Sequence, residues 1–165
     1  TISWISLAHM KTIWVKKGQI LQRQGDRDTK VYVVRKGLLR CYSIDEKGKE
    51  HIFLFGPEGT VITDHLPPQV PAELFIDALE DSKVLVREKT LAFAKRNTSR
   101  VIGRMIALQT RVVMLMSLSI IERYKYFITT YPQIAERIPQ RMIASYLGVT
   151  PEALSKAKSK YLQSK

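Results

Sequence analysis

Acidic residues are almost missing from one half of this chain. Positions 89–165 hold 14 Lys/Arg but only three carboxylates, Glu122, Glu136 and Glu152, whereas positions 1–88 hold 13 Lys/Arg against 12 Asp/Glu. A net charge of +12 distributed in this way predicts a near-neutral module joined to one that meets a polyanion. On charge alone, a solvated basic helical face fits as well. Cysteine is scarcer still. Cys41 stands alone, which excludes an intramolecular disulfide and any multi-cysteine zinc or iron–sulfur site. No basic cluster adjoins it to activate the thiol, so Cys41 is expected as a small core residue.

Long apolar runs are also lacking. The most apolar stretch, 112–121, is too short to span a bilayer and is broken by Ser117 and Ser119. The first residues, TISWISLAHMKTIW, have no basic segment leading into an apolar core and no small-residue cleavage site, so they do not read as a secretory signal. The chain begins with Thr1 rather than Met. A cytoplasmic location without membrane attachment is the expectation.

Catalytic motifs are absent too. There is no G-x-S-x-G, H-E-x-x-H or P-loop pattern. The adjacent carboxylates Asp45 and Glu46, and Glu80 and Asp81, sit in turns and point apart, a poor geometry for acid–base work. His9, His51 and His65 are far apart and none has a partner at metal-ligand spacing. His65, beside Asp64 in a proline-rich loop, is the one near a candidate pocket. The prediction is no enzyme, no metal and no cofactor.

What is present divides at about residue 90. QILQRQGD leads into a turn, and KVYVVRKG and LLRCYSI are β-branched and aromatic runs separated by Gly37. DEKGKE (45–50) reads as a hairpin turn with Gly48 at its tip, and HIFLFG (51–56) as the returning strand. FIDALEDSKVLVREK supplies two more strands around a turn at 80–82. Short strands at this spacing predict a small antiparallel sandwich or barrel.

Beyond residue 90 the period becomes helical. Val101, Ile102, Met105, Leu108, Val112, Leu115 and Met116 recur at three- and four-residue steps, predicting one long helix over 98–131 that ends near Tyr131 and Pro132. Its apolar content is too broad for one buried face. The second side is covered by another copy of the helix, through Ile102, Met105, Val112, Leu115 and Met116, or lies in a monomer core. Short helices are expected over 133–137, 139–147 and 151–162.

The stretch IASYLGVTPEALSKAKSK (143–160) has the spacing of a helix-turn-helix. Ala144 allows a close crossing, Gly148 can take the positive φ that turns the chain quickly, and Ile143, Leu147, Val149 and Leu154 form the seam. Thr150 is placed as an N-cap, with Pro151 in the first helical position. With Leu154, Ala157 and Tyr161 inward, the outward stripe is Glu152, Ser155, Lys156, Ser159 and Lys160. Those groups suit base edges and phosphates of double-stranded DNA. The rival is a helical hairpin serving a protein partner.

Taken together, the chain resembles the Crp/Fnr family of bacterial transcription regulators over roughly 14–162. The resemblance rests on VKKGQIL (15–21), GD (25–26), VYVVRKGLLR (31–40), DEKGKE (45–50), FGPEG (55–59) and ALEDSKVLV (78–86). In the second half it rests on ERYKYFITTYPQI (122–134) and IPQRMIASYLGVTPEALSK (138–156). It implies an α+β architecture: a jelly-roll-like antiparallel β-roll sensor over 1–97, a long dimerisation helix over 98–131 and a winged-type helix-turn-helix over 132–165, in a homodimer. No wing is evident before Lys165. Carried over by position, Glu152 and Lys156 stand where members read bases, with lysine in place of the usual arginine. In cyclic-nucleotide-binding members, a Gly-Glu pair and an Arg-Ser pair hold ribose and phosphate. The corresponding positions here are Thr63 and Asp64, then Ala72 and Glu73. Glu73 would repel a phosphate, and no Lys or Arg occurs between Lys49 and Lys83. Cyclic AMP is therefore not the expected effector. The β-roll senses another small molecule or serves only to hold the helices.

Two basic features remain. Lys95, Arg96, Arg100, Arg104 and Arg111 either extend the electrostatic footprint or pair with acids such as Asp26 and Asp28, the second being preferred. Arg123, next to Glu122, reads as structural.

Overall fold

The computed structural model describes residues 10–89 and 98–163. The chain divides into two compact units, Thr1–Leu91 and Ala92–Lys165. Among the described residues, the first unit is built from two antiparallel four-stranded sheets. One runs, edge to edge, β1 (Lys11–Val15), β8 (Ser82–Glu88), β3 (Lys30–Lys36) and β6 (Val61–Ile62). The other runs β2 (Ile20–Gln22), β7 (Phe75–Ala78), β4 (Leu39–Ile44) and β5 (Glu50–Gly56).

Val15, Tyr32, Val34, Ile62 and Val84 of the first sheet meet Leu39, Cys41, Ile76 and Ala78 of the second in one core. The period-2 alternation of strands places these residues on facing sides. Cys41 is 2% exposed, a packed core residue as expected. On β3 the alternate residue Val33 packs with Leu85, Met10 and Val61, so this central strand is covered on both faces. That double burial accounts for the nearly unbroken apolar run VYVV.

The expected strands are present, but β3 and β4 do not pair with each other, and neither do β7 and β8. Each pair is consecutive in sequence and crosses between the sheets. The two crossing corners pack backbone against backbone. Gly37 has φ +96°, and a Cβ there would lie 2.2 Å from Ser82 Oγ and 2.8 Å from Ser82 Cα. Only glycine fits both the angle and the approach. Beside it the Leu79 N–H donates to the Leu38 carbonyl at 2.8 Å. Strands β1 and β6 are additions that the sequence pattern did not reveal.

The hairpin turn expected over 45–50 forms with Gly48 at φ +77°, and Glu50 already belongs to β5. Asp45 Oδ1 accepts from the Lys47 and Lys49 N–H groups, both at 2.9 Å, and Oδ2 lies 2.8 Å from His51 Nε2. The His51 ring foremost, with those backbone donors, holds the Asp45 carboxyl below its ordinary range.

In the second unit the described helices are α1 (Thr98–Ser117), α2 (Ile120–Thr130), α3 (Pro132–Ala135), α4 (Gln140–Tyr146) and α5 (Pro151–Gln163). The single helix expected over 98–131 is therefore two helices. Ser117 Oγ donates back to the Val113 carbonyl at 2.7 Å, and Ser119 turns extended at φ −65°, ψ 161°. The Ser119 N–H donates to Glu122 Oε2 at 2.8 Å in the capping box that starts α2, and the Ser119 hydroxyl donates to the same oxygen at 2.6 Å. Apolar periodicity ran through this point and masked the S-x-x-E signal. Pro139 is likewise the extended cap before α4, not its first residue. The core of the unit is Met114, Phe127, Ile134, Ile138, Ile143, Ala144, Leu147 and Leu154.

Candidate functional site

Helices α4 and α5 are joined by four residues, 147–150. Ala144, Leu147, Leu154 and Ile143 are 0–2% exposed, as the seam between two helices requires, and Val149 is half-buried. Gly148 has φ +68°. Its N–H donates to the Ser145 carbonyl at 3.1 Å and the Val149 N–H to Ala144 at 3.0 Å. This pair of bonds is a Schellman motif, which needs a left-handed residue at that position. The Ala153 N–H then donates to Thr150 Oγ1 at 3.2 Å, so Thr150 is the N-cap of α5, as the sequence indicated.

Thr150, Glu152, Ser155, Lys156, Ser159 and Lys160 are all exposed, while Leu154 is buried and Ala157 and Tyr161 half-buried. The six polar residues thus share one solvent-facing stripe of α5 and its cap. Bonding at the first turn, from the Glu152 backbone N–H and the Thr150 hydroxyl, holds the Glu152 carboxyl below its ordinary range. Glu152 is accordingly an ionised acceptor beside Lys156. The inner side of α5 is fastened to α2, where Lys125 Nζ lies 3.7 Å from the Tyr161 ring centre and Lys158 Nζ 4.6 Å from that of Tyr124. Lys158 is thereby separated from the exposed lysines of the stripe.

Of the residues expected at a dimer interface, Ile102, Met105, Val112 and Met116 are 52–82% exposed in the single chain, on a face shared with Ile106 and Val113. Leu115 does not belong to that group. It is half-buried, and its Cδ2 would stand 3.8 Å from a Cβ at position 148.

The expected effector positions lie on one loop of the β unit. Thr63 Oγ1 is within hydrogen-bond reach of the Lys30 and Asp64 carbonyls, at 3.1 and 3.0 Å. Asp64 is 2% exposed. Its Oδ1 accepts from the Leu66 N–H at 2.8 Å and its Oδ2 from the Glu73 N–H at 3.1 Å. The carboxylate read as a ribose acceptor is therefore engaged on both oxygens in tying the loop ends. Ala72 is buried, its N–H on the Asp26 carbonyl and its own carbonyl accepting from Gly25. Glu73 is exposed.

Two cations missed by the local count reach this loop from elsewhere. Arg27 Nη1 donates to the Gln69 carbonyl at 2.6 Å, and Lys89 Nζ to Thr29 Oγ1 at 2.7 Å and the Leu66 carbonyl at 2.8 Å. Burial pulls the Lys89 pKa down, opposed by Asp64. Both cations are spent on the protein's own loop. His65 is exposed, and His51 is engaged by Asp45. His9, Lys95 and Arg96 lie outside the described residues. Among the described residues no group of three or more His, Cys, Asp or Glu could hold a metal.

Sequence reasoning also missed a buried ion cluster on the second sheet. Arg40 Nε and Nη2 donate to Asp77 Oδ1 and Oδ2 at 2.8 and 3.0 Å, and Nη1 and Nη2 reach Glu50. The guanidinium lies 4.0 Å from the centre of the Tyr42 ring, which stacks on Phe75 at 5.3 Å. Desolvation would lower the Arg40 pKa, but the bonds to Asp77 and Glu50 outweigh it and raise it. The available signal was a charge inside each of the apolar strands LLRCYSI and FIDA.

Comparison with known proteins converges on one group. Residues 12–93 match the family of the cyclic nucleotide-binding domain. Over 70 residues, 42% of this chain, it is 31% identical to the anaerobic regulatory proteins of Haemophilus influenzae and Aggregatibacter actinomycetemcomitans. The match spans only 27% of the length of those proteins. FixK2 from Bradyrhizobium japonicum superposes with a TM-score of 0.78 at 20% identity, over 94% of this chain and 85% of that one. The c-di-GMP-responsive global regulator CLP of Xanthomonas campestris gives 0.77 at 12%, over 96% and 89%. A Crp/Fnr-family transcriptional regulator from Thermus thermophilus gives 0.75 at 14%, over 93% and 87%. Residues 12–93 thus belong to the cyclic nucleotide-binding domain family, and with the helices that follow them the chain has the fold of the Crp/Fnr transcription regulators.

Proposed function

We propose that this protein is a homodimeric, sequence-specific DNA-binding transcription regulator of the Crp/Fnr type, acting in the cytoplasm. Residues 1–97 serve as the sensor, the segment 98–131 carries the dimer contact through α1, and residues 132–165 contact DNA. The observation that carries this reading is the exposed stripe Thr150, Glu152, Ser155, Lys156, Ser159 and Lys160 on a helix whose opposite side is buried. Lys156 donates to guanine, Glu152 accepts from cytosine N4, and the hydroxyls and Lys160 serve phosphates. Two copies joined through Ile102, Met105, Val112 and Met116 must hold their recognition helices about 34 Å apart, one turn of B-DNA, to meet successive major grooves. Small changes in that pairing then alter affinity.

Selection of duplexes from a random pool at near-physiological salt is expected to return a two-fold-symmetric site. Lys156→Ala should weaken it by about 1–3 kcal/mol and relax the choice of base at one position of each half-site. Binding without a motif that disappears as salt rises would instead favour the interaction-module reading.

The sensor reading has its own test. Arg27 and Lys89 already donate to the protein's own loop, Ala72 stands where binding members carry the phosphate-holding arginine, and the Glu73 carboxylate beside it opposes a phosphate. Millimolar cyclic AMP or cyclic GMP is therefore expected to leave the melting temperature unmoved. A concentration-dependent rise would establish the altered-cassette alternative.

A further inference from the structure

The C-terminus of α4 has more carbonyls than its backbone satisfies. The Schellman bonds occupy Ala144 and Ser145, and the Leu147 N–H occupies Ile143. The next two carbonyls, of Tyr146 and Leu147, accept from arginine side chains that arrive from upstream helices. Arg111 Nη2 of α1 donates to the Tyr146 carbonyl at 2.7 Å, with its guanidinium 3.9 Å from the Tyr146 ring centre. Arg123 Nη1 of α2 reaches the Leu147 carbonyl at 3.3 Å.

The same Arg123 guanidinium also closes the break between α1 and α2. Its Nη2 donates to the Leu115 carbonyl at 2.6 Å and its Nε to the Leu118 carbonyl at 2.9 Å. Three nitrogens of one rigid fork therefore hold three carbonyls from two places, the end of α1 and the turn before α5. These are orphan carbonyls of two helix C-termini, where a cation is favoured by the local dipole as well. A lysine has one nitrogen and cannot span the same three acceptors.

We infer that Arg123, seconded by Arg111, is a positioning residue that couples the break at 117–119 to the pitch of α5. Any change in direction at the end of α1 moves Leu115 and Leu118 and, through one planar group, the turn that begins the recognition helix. This rests on the DNA-binding reading for its consequence, though not for its geometry. Arg123 is half-buried and its donors face the protein backbone, so it contributes no phosphate contact.

The experiment uses the full chain and the duplex selected by the wild type, with Arg123→Lys and Arg123→Gln. Affinity is measured for that duplex and for unrelated DNA across a salt series, and amide hydrogen exchange is followed over 148–154. Arg123→Lys, which keeps the charge, is expected to weaken specific binding about 10- to 100-fold, the loss of one to two charge-assisted bonds. Non-specific affinity and the slope of log affinity against log salt should stay as in the wild type, while 148–154 exchanges faster. In Arg123→Gln, which removes the charge, a slope reduced by about one would make Arg123 a phosphate contact and overturn the inference. So would wild-type specific affinity in Arg123→Lys. If the wild type selects no duplex, the DNA reading fails by itself, and unchanged exchange at 148–154 in the variant would separately remove the coupling.

Discussion

Asp77→Ala is expected to destabilise the β unit by about 3 kcal/mol or more, the cost of leaving a buried charge without its partner. Arg40 and Asp77 side chains are only 8% and 9% exposed, and the two are joined by parallel N–H···O bonds of 2.8 and 3.0 Å. Removing the carboxylate strands a guanidinium that has already given up its water. Glu50 remains in reach, but its side chain is 45% exposed and compensates little in high dielectric. The double variant Arg40→Met with Asp77→Leu should recover most of the loss, since apolar groups of similar volume replace such a pair at little cost. Urea denaturation followed by far-UV circular dichroism measures all three. A loss below ~1 kcal/mol in the single variant would mean that water enters the cluster.

Phe127→Ala should remove about 3–5 kcal/mol from the helical unit. Phe127 is 1% exposed and sits between Tyr131 and Tyr146, with ring centres 5.6 and 5.2 Å away. The deletion costs transfer energy and leaves a cavity at the place where α2 meets α4. It also unseats Tyr146, whose phenol burial pushes up to about 12 and on whose face Arg111 rests. The loss should therefore appear twice, as earlier melting of the 222 nm signal and as weaker retention on the selected duplex. Early melting with full DNA affinity would show that the α4–α5 pair stands without this aromatic cluster.

The exposed polar stripe of α5 is legible in the sequence because each of its structural requirements is local. A cap needs a hydroxyl at Thr150, a rapid turn needs a residue free to take positive φ at 148, and a seam needs small and branched residues three and four apart. The loop at 63–73 was less legible, because its cations come from Arg27 and Lys89, well removed along the chain. Counting charge within a window finds none of them. The sequence leaves Arg111 to an electrostatic footprint or, by preference, to carboxylates such as Asp26 and Asp28; in the structure its Nη2 donates to the Tyr146 carbonyl within its own unit. A backbone carbonyl left over at a helix end leaves no mark in the composition.

By itself, the sequence determined the division of charge at about residue 90, the change from period 2 to period 3.6, the hairpin at 45–48 and the order of cap, turn and stripe in the last helix pair. All of these depend on neighbours within about five residues, where propensity, turn chemistry and side-chain spacing act directly. Only the tertiary structure decided that β3 and β4, and likewise β7 and β8, lie in different sheets, that Arg40 and Asp77 form a buried pair, and that one arginine spans a helix break and a turn. Those outcomes depend on which residues meet after the chain has crossed itself. Long-range contacts are selected by burial of the whole core, and no local window contains that information.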